Sequence, residues 1–314
     1  MLGMELFRNR FPADNKDTLG GLNDLYVFID GEFLCRDEAS ISVWEHAFMY
    51  GDSVFEGIRA YGGKVFRLPE HLERLMESAK SVGIDVPLSI EELTRVVLET
   101  FSINRLQEGH LRLTVTRGVG KVGLDPRNSK CASVIAMAYP FPPTLGEKAV
   151  RLVTSSVRRK GSDSVDAKVK TSNYMDNILA KLQANFTGMD DALMLDRNGY
   201  VAEATATNVF VLRKGKWFTP IPVACLEGVT RHVAMEILKG MGSPVEERNL
   251  TVHELYVAQE AFLTGTGAGV VPVESVDGRR IGEHAPGEVT REVVRRFKVI
   301  TEEGTPIEMR TGKG

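Results

Sequence analysis

The stretch DAKVKTSNYMDNILAK, residues 166–181, places two lysines at the end of an extended run and just before a helix. Asn173 is a favoured N-cap residue, and the residues after it predict an amphipathic helix with Ile178, Leu179 and Leu182 on its apolar face. A lysine at such a junction can project into a cleft, lose its proton and form a Schiff base with an aldehyde cofactor. Most lysines are simply solvated, so the surrounding motifs have to distinguish a solvated lysine from a Schiff-base lysine.

The composition is typical of a globular protein with two domains. The chain has 314 residues, of which 43% are apolar and 26% charged, and this excludes a disordered or fibrous protein. Such a length corresponds to two domains of about 150 residues each. A net charge of -3 provides no basic field, so neither nucleic acid nor a membrane is expected as a partner.

The cysteines and the first residues bear on metal binding and location. Cys35, Cys131 and Cys225 lie far apart and show no metal-ligand spacing, so we expect neither a disulfide framework nor a metal site. The N-terminal segment is broken by charges every few residues and contains no apolar run of signal-peptide length. We therefore expect a cytoplasmic protein with reduced thiols.

Turn and cap signals outline the first domain. Asp30-Gly31 is a two-residue hairpin signal. Pro69 begins a helix, and Ser89 with Glu92 forms a capping box that begins a second one. No regular element can cross Pro140-Phe-Pro-Pro-Thr144. The predicted boundaries are an N-terminal arm at 1–24, a small α+β domain at 25–139, an interdomain loop at 140–149 and a large α+β domain at 150–314.

The second half of the chain mixes strands, hairpins and helices. Strand-like runs at 192–196 and 208–212 alternate with hairpin signals at Asn198-Gly199 and Lys214-Gly215. No GxGxxG sequence follows a strand. The predicted fold class is therefore α+β with a mostly antiparallel or mixed sheet, rather than a doubly wound dinucleotide-binding fold.

Motifs around the lysine junction continue along most of the chain. They read His46-Ala-x-x-Tyr50-Gly-x-Ser-Val-Phe55-Glu-Gly57-Ile-Arg59, Phe66-Arg-Leu-x-x-His71-x-x-Arg74-Leu, Lys170-Thr-Ser-Asn173-Tyr174-x-x-Asn177-Ile-Leu-Ala-Lys181, Gly199-Tyr-Val-Ala-Glu203-x-x-x-x-Asn208-Val-Phe210, Leu226-x-Gly228-Val229-Thr230-Arg231 and Thr264-Gly-Thr266-Gly267-Ala268. Together they resemble the fold-type IV, or class IV, pyridoxal-phosphate aminotransferases, and most closely the branched-chain amino acid aminotransferases. The resemblance extends from about residue 25 to about residue 300.

This resemblance implies a fold, a cofactor and an activity. The implied fold is the two-domain, α+β architecture of the D-amino acid aminotransferase type. The implied cofactor is pyridoxal 5'-phosphate (PLP), and the implied reaction is transamination between a branched-chain L-amino acid (Leu, Ile or Val) and 2-oxoglutarate through a Lys170 Schiff base and pyridoxamine phosphate. The family also implies a homodimer or higher homo-oligomer, because a loop of the second subunit completes the cleft.

The resemblance assigns cofactor-binding roles to individual residues. Lys170 is the Schiff-base lysine, and it is preferred over Lys168 because its spacing to Asn173 is the family's; by strand alternation both would share one face. Glu203 bonds the pyridine nitrogen and Tyr174 the ring oxygen. The phosphate is expected at Arg74, Gly228, Val229, Thr230 and Thr266. The segment Gly228-Val229-Thr230 also precedes an apolar-periodic helix, whose N-terminus favours an anion for purely physical reasons.

The family pattern also implies substrate-binding residues, which are Tyr50, Phe55, Gly57, Arg59, His110, Arg112, Gly267 and Ala268. Arg112 is expected to receive the distal carboxylate of glutamate. The sequence departs from the family at His110 and Thr144, where the branched-chain enzymes usually carry tyrosines. His46 and His71 are interpreted as structural.

These two departures leave alternatives open. A class IV transaminase for (R)-amines or D-amino acids differs from the branched-chain enzymes in the same regions, and a PLP lyase of the aminodeoxychorismate lyase type is a further alternative. A catalytically silent relative is disfavoured by the complete lysine, glutamate and phosphate set.

Overall fold

The computed structural model describes residues 25–146 and 148–309. The N-terminal arm predicted at 1–24 therefore lies outside the described residues. Within them, the strands are β1 (Tyr26–Ile29), β2 (Glu32–Cys35), β3 (Ser53–Tyr61), β4 (Lys64–Val65), β5 (Gly109–Thr116), β6 (Ser133–Tyr139), β7 (Val150–Arg158), β8 (Asp191–Leu195), β9 (Val201–Ala204), β10 (Asn208–Arg213), β11 (Lys216–Thr219), β12 (Val245–Glu247), β13 (Glu260–Gly265), β14 (Gly269–Val276), β15 (Arg279–Arg280) and β16 (Thr305–Pro306). The α-helices are α1 (His46–Tyr50), α2 (Leu68–Ser81), α3 (Ile90–Ile103), α4 (Met175–Phe186), α5 (Val229–Gly240), α6 (Val252–Tyr256) and α7 (Glu288–Ile300).

The first sheet is antiparallel and has seven strands in the order β16-β4-β3-β5-β6-β1-β2. Helices α2 and α3 cover one of its faces, and α3 begins with the predicted capping box of Ser89 and Glu92. Between helices and sheet lies a core with Leu72, Leu75 and Phe101 completely buried. Burial of this apolar surface stabilises the first sheet and leaves its opposite face free to form a site.

Alternation along β3 determines which residues reach that opposite face. Val54, Ile58 and Ala60 are buried in the helix-covered core. Phe55, Gly57 and Arg59 therefore point the other way, because successive residues of a strand alternate between faces. In the register with β5, Gly57 lies opposite Arg112 and Arg59 opposite His110. Most of the predicted substrate-binding residues thus share one face of one strand pair.

The second sheet is mixed and contains nine strands. Its main path is β12-β11-β10-β13-β14-β7-β8-β9, and β15 pairs with β14. The pairs β11·β12, β14·β7 and β7·β8 are parallel and the others antiparallel. Helix α5 packs on it through Val233, Ala234, Ile237 and Leu238, which recur at helical spacing. The predicted α+β class is confirmed.

The end of the described chain returns to the first sheet. Strand β16 pairs with β4, and Ile307 packs into the core between the first sheet and its helices. The predicted large domain at 150–314 therefore includes a short segment that the structure places with the other sheet. The boundaries at 139 and 150 stay a prediction.

Helix α4 differs from its prediction in two ways. Asn173 is not its N-cap, because the Asn173 side chain donates to the Gly51 carbonyl oxygen at 3.1 Å and the helix begins one residue later, after Tyr174. The predicted apolar face also does not face the core. Ile178, Leu179 and Leu182 are 52%, 45% and 42% exposed, and the buried side of the helix is formed by small and polar residues, Asn177, Ala180 and Ala184.

Candidate active site

A cavity of about 200 Å³ lies between the exposed face of the first sheet and the second sheet. Strand ends, helix starts and loops from both halves of the chain contribute to it. The predicted site residues that line it are Phe55, Gly57, Arg74, His110, Lys170, Tyr174, Glu203, Gly228, Val229, Thr230, Thr266, Gly267 and Ala268, and Thr144 lines it as well. The predicted cofactor-binding set is therefore gathered around one cavity.

Lys170 lies in this cavity on a short segment that joins β3. Its carbonyl oxygen accepts from the Phe55 amide at 2.9 Å, and its own amide donates to Ser78 Oγ at 3.2 Å. These backbone bonds fix the position of the side chain. Nζ of Lys170 then donates to Tyr174 Oη at 3.1 Å and lies 4.4 Å from the ring centroid of Phe55. An amine in such surroundings is placed for nucleophilic and proton-transfer chemistry.

Lys168 has a different environment. The chain turns between Asp166 and Val169, where the Val169 amide donates to the Asp166 carbonyl oxygen at 3.0 Å, so strand alternation does not hold here. Lys168 lines a separate surface groove of about 750 Å³ and lies 3.7 Å from Glu227. The expectation that the two lysines share one strand face was wrong.

Glu203 is 4% exposed and belongs to a buried network of charges. Its Oε1 accepts from Arg159 Nε at 2.6 Å, and its Oε2 accepts from the Leu226 amide at 3.2 Å. Arg159 also donates to Asp176 at 2.8 Å. Burial alone would lower the pKa of Arg159, but the charge of Glu203 and its hydrogen bond, with Asp176, raise that pKa. A permanently charged guanidinium therefore faces the Glu203 carboxylate.

The N-terminus of α5 forms the end of the cavity near Arg74. Gly228 is the N-cap and makes no side-chain cap, which leaves the first amides of the helix free for an anion. A Cβ at Gly228 would lie 2.2 Å from Asn208 Oδ1, so only glycine allows this close approach. Thr230, one residue into the helix, is 3% exposed and adds a hydroxyl to the same end.

Arg74 is held at this end by Glu56. Its Nε and Nη2 donate to the two carboxylate oxygens at 2.7 and 2.8 Å, and Nη1 donates to the Glu227 carbonyl oxygen at 2.7 Å. His71 Nδ1 lies 2.9 Å from the same carboxylate. Burial alone would raise the pKa of Glu56, but the Arg74 charge and the hydrogen bonds from His71 and Arg74 lower it to about 2.

We expect Glu56→Gln to destabilise the protein by about 3–5 kcal/mol at neutral pH, because it leaves the Arg74 guanidinium buried without its counter-charge. The pKa of Glu56 is about 2, below its ordinary value of 4.5, so its contribution is present above that ordinary value and disappears as the pH falls through the folded-state value. Denaturant unfolding at neutral pH and at about pH 3 should show the difference between wild type and variant narrowing at the lower pH. Glu73→Gln, an exposed position on the helix that carries Arg74, is the control, and an equal loss in both variants would contradict the assignment.

The turn between β13 and β14, from Gly265 to Gly269, forms the opposite end of the cavity. Two groups hold the carbonyl oxygen of Gly267, namely Arg59 Nη1 at 2.9 Å and the Thr144 amide at 3.0 Å. The first group comes from β3 and the second from the interdomain loop. Arg59 itself lines a neighbouring cavity, so it supports this turn from behind.

His110 lies beside this turn with a neutral ring. Burial and the Arg59 charge lower the pKa of His110 to about 4, and its Nδ1 is buried with no hydrogen-bond partner. The ring packs against Gly57, where a Cβ would lie 3.0 Å from it. A small residue at 57 therefore accommodates the imidazole.

Arg112 stacks on the ring of Phe55. Its guanidinium carbon lies 3.7 Å from the Phe55 ring centroid. Burial lowers the pKa of Arg112, and within the described residues it has no ion pair. A largely buried cation without a counter-ion favours a carboxylate from a ligand.

Tyr50 and His46 lie outside the cavity lining. Tyr50 Oη accepts from the Gly123 amide at 2.9 Å, and its ring packs edge-on against His46. His46 Nδ1 lies 3.3 Å from Asp52. The structure therefore does not bring Tyr50 together with the other predicted substrate-binding residues of the chain.

The comparisons with known proteins agree with this geometry. The family model "Amino-transferase class IV" matches residues 53–276. The chain belongs to this family. The two-domain, fold-type IV aminotransferase architecture expected from the sequence is confirmed by the solved structures that follow.

Two relatives and two solved structures illustrate the similarity of this class IV aminotransferase. It is 47% identical to the "Putative branched-chain-amino-acid aminotransferase" of Methanocaldococcus jannaschii over 276 residues, which are 87% of this chain and 96% of that protein. It is 34% identical to the branched-chain-amino-acid aminotransferase of Pseudomonas aeruginosa over 283 residues, 87% of this chain and 92% of that one.

Among solved structures, the branched-chain aminotransferase of the thermophilic archaeon Thermoproteus uzoniensis with norvaline has a TM-score of 0.86 and 34% identity, covering 90% of this chain and 99% of its own. The Escherichia coli branched-chain amino acid aminotransferase has a TM-score of 0.86 and 33% identity, covering 92% and 98%.

The donor set of this aminotransferase fits a phosphorylated pyridine aldehyde. The hydroxyls of Thr207 and Thr264 line the cavity, and both are buried without a hydrogen-bond partner, so a polar ligand would satisfy them. The amine of Lys170, the carboxylate of Glu203 and the amides at Gly228 match the aldehyde, the ring nitrogen and the phosphate of PLP in charge and hydrogen-bonding type.

Sequence reasoning missed three residues of the aminotransferase site. Glu56 had a usable signal, because it stands at an inward position of β3 between Val54 and Ile58 and a buried carboxylate must be paired. Arg159 and Asn208 support Glu203, but Arg159 follows a strand in a basic triplet that resembles solvated surface. No pattern in a single sequence distinguishes it from its neighbours.

Proposed function

We propose that this chain is a PLP-dependent branched-chain amino acid aminotransferase that transfers the amino group of L-leucine, L-isoleucine or L-valine to 2-oxoglutarate. The observation that carries the proposal is the cavity in which Lys170, the Glu203–Arg159 pair and the N-terminus of α5 meet. The relatives and solved structures named above support the substrate class, and the apolar ring of Phe55 in the lining suits an aliphatic side chain.

PLP, when bound, supplies an electron sink for the electrons left on the substrate Cα. Glu203 would bond the ring nitrogen, with Arg159 keeping the carboxylate in place. Tyr174 would hold the ring oxygen, and the amides and hydroxyl at Gly228–Thr230 with Arg74 would hold the phosphate. Lys170 would bind the aldehyde covalently, and its free amine would then move a proton to and from Cα.

Arg112 supports 2-oxoglutarate as the acceptor of the amino group. An unpaired, largely buried guanidinium suits the distal carboxylate of 2-oxoglutarate, whereas the stacked Phe55 ring beside it suits the apolar side chains of the donors. One pocket would then serve both the acidic and the aliphatic substrate. In the first half of the reaction the donor's aliphatic side chain would lie against Phe55. In the second half the distal carboxylate of 2-oxoglutarate would bind Arg112.

We expect Arg112→Leu to raise the KM for 2-oxoglutarate by about 10- to 100-fold, the range for the loss of a charged hydrogen bond. The half-reaction with L-leucine should change far less, because an aliphatic side chain makes no use of the charge. Steady-state rates with varied 2-oxoglutarate, set beside single-turnover rates with L-leucine, give the two values. Arg95→Leu, an exposed arginine on α3, is the control, and an equal rise in both variants would count against this role for Arg112.

A second candidate function is a class IV transaminase for (R)-amines or D-amino acids. The observation that favours it is the cavity wall formed by His110 and Thr144, which places a neutral imidazole with an unsatisfied Nδ1 beside the Gly267 turn. This wall differs in size and polarity from the two tyrosines expected in branched-chain enzymes. A donor panel separates the two functions.

A homodimer is also part of the proposal. Helix α4 exposes an apolar row, which consists of Met175, Ile178, Leu179, Leu182 and Phe186. Phe48 on α1 is 67% exposed, and Trp44 just before α1 is 54% exposed. The Asn173–Gly51 hydrogen bond joins the segment before α4 to the C-terminal end of α1. An apolar area of this extent is typical of an interface between subunits.

We expect Ile178→Asp/Leu182→Asp to convert the assembly to monomers, because two buried charges would oppose association. Sedimentation at several protein concentrations measures the change, and Glu73→Gln again serves as a control. A wild type that sediments as a monomer would contradict the proposed assembly.

In the described chain, no helix is long and apolar enough to cross a membrane. The cytoplasmic location stays a prediction.

A further inference from the structure

A second cavity, of about 580 Å³, lies behind the Gly267 turn. We call it the interdomain cavity, and it is bounded by the end of β3, the interdomain loop, β14 and α7. Its wall is mainly apolar and is formed by Pro143, Val270, Pro272, Pro286, Val294 and Phe297. A concave, mostly apolar cavity of this size is typical of a binding site for a small organic molecule.

The charged groups around the interdomain cavity are unbalanced. Arg59, Arg291 and Lys298 line it, with Glu108 as the single carboxylate among the described lining residues. Within the described chain neither Arg291 nor Lys298 forms an ion pair, whereas Arg295 and Arg296 of the same helix both pair with Glu292. The two unpaired cations of α7 face the cavity and the paired ones do not line it. The surplus positive charge favours an anion.

Arg59 connects this cavity with the active site. It lines the interdomain cavity, and its Nη1 holds the carbonyl oxygen of Gly267 at 2.9 Å. Its Nε is buried and has no partner, so the guanidinium has hydrogen-bonding capacity left. Ala268 lines both cavities. The turn is therefore a thin wall between them, and Arg59 holds that wall in place.

We propose that the interdomain cavity binds an organic monocarboxylate with an apolar body. Arg291 and Lys298 attract the carboxylate, and the apolar wall takes the hydrocarbon. The bound carboxylate competes with the Gly267 carbonyl oxygen for Arg59, which loosens the turn and weakens substrate binding on its other side. This coupling rests on the proposed function, since Gly267 and Ala268 of the turn are expected to bind the substrate. Binding of the acid in the interdomain cavity does not depend on that function.

The test is isothermal titration calorimetry of the cofactor-loaded enzyme with decanoate and with 4-methylpentanoate. Arg291→Gln/Lys298→Gln removes two cations of the cavity and leaves every active-site residue unchanged. We expect it to raise the dissociation constant at least about tenfold, the range for loss of charged hydrogen bonds. Arg295→Gln/Arg296→Gln removes the same charge from the same helix outside the cavity, and we expect its affinity to resemble that of the wild type.

The two acids distinguish the source of the ligand. Tighter binding of decanoate indicates a fatty acid. A second binding event of 4-methylpentanoate, in addition to the one at the active site, indicates an acid of the size of the branched-chain substrates if Arg291→Gln/Lys298→Gln abolishes it. An equal effect of both double variants, or no binding of either acid to the wild type, would overturn the proposal.

Steady-state rates test the coupling separately. A saturating concentration of decanoate should raise the KM for L-leucine in the wild type and leave it unchanged in Arg291→Gln/Lys298→Gln. Binding that is lost in this variant without any effect on the wild-type KM would overturn the coupling alone. Failure of the branched-chain activity itself would show in the rates without acid, and the calorimetry would still decide the existence of the site.

Discussion

Lys170→Ala should reduce the rate of transamination by at least about 10³-fold, since it removes both the covalent attachment of the cofactor and the group that moves the proton at Cα. The Nζ of Lys170 is the amine that lies in the cavity, 3.1 Å from Tyr174 Oη. The visible absorbance of the cofactor bound to the lysine should disappear in this variant. Both readouts need only purified protein, PLP and a donor–acceptor pair.

Lys168→Ala is the matched control for this experiment. Lys168 lies two residues away on the same segment, but it faces the surface groove and only approaches Glu227. Near-normal activity and absorbance are therefore expected. The reverse result, in which Lys168→Ala loses the absorbance and Lys170→Ala keeps it, would overturn the assignment of the nucleophile.

Glu203→Gln should lower the rate by roughly 10²- to 10³-fold, the range observed when a preorganised electrostatic partner of a reaction centre is removed. Glutamine cannot hold a proton on the ring nitrogen by charge. The same change leaves Arg159 with one carboxylate, that of Asp176, in a buried position. Some loss of stability is therefore expected together with the loss of rate.

A second substitution separates these two effects. Glu203→Gln/Arg159→Met removes the buried cation together with the charge of Glu203 and leaves Asp176 beside Lys160, whose Nζ lies 3.4 Å from it. The free energy of unfolding should therefore recover relative to Glu203→Gln while the rate stays low. The free energy of unfolding and the rate are measured for the wild type, for Glu203→Gln, for Arg159→Met and for the double variant. A double variant that recovered the rate with the stability would show that Glu203 acts only through folding.

Local signals in the sequence predicted much of the fold. The Ser89 capping box is formed because its two groups satisfy each other's backbone donors within four residues. The apolar period of α5 faces the second sheet as predicted. These features depend on neighbours in sequence, so one sequence is sufficient to recognise them.

Other features depend on contacts that the sequence pattern does not contain. Asn173 donates to Gly51, which is more than 100 residues away in the chain, and this contact replaces the predicted cap. Helix α4 has the predicted apolar face, but this face is exposed because the sheet packs on the small residues of the helix instead. The Arg159 support of Glu203 likewise forms only when two distant strand ends meet.

The predicted site residues were located largely through the family resemblance. Residues of short motifs that stand at strand ends and helix starts, such as Lys170 and Gly228, line one cavity. Tyr50 does not, since its hydroxyl is used by the Gly123 amide of the same chain. Motif resemblance gives residue types in order, whereas the cavity depends on where each side chain points.

Branched-chain transamination at the Lys170 cavity is tested most directly by a half-reaction spectrum. The PLP-loaded enzyme is mixed separately with L-valine, D-alanine and (R)-1-phenylethylamine, and conversion of the cofactor to pyridoxamine phosphate is followed by absorbance. We predict rapid conversion with L-valine and little with the other two donors. Conversion mainly with D-alanine or the (R)-amine would contradict the claim and assign the substrate choice to the wall formed by His110 and Thr144.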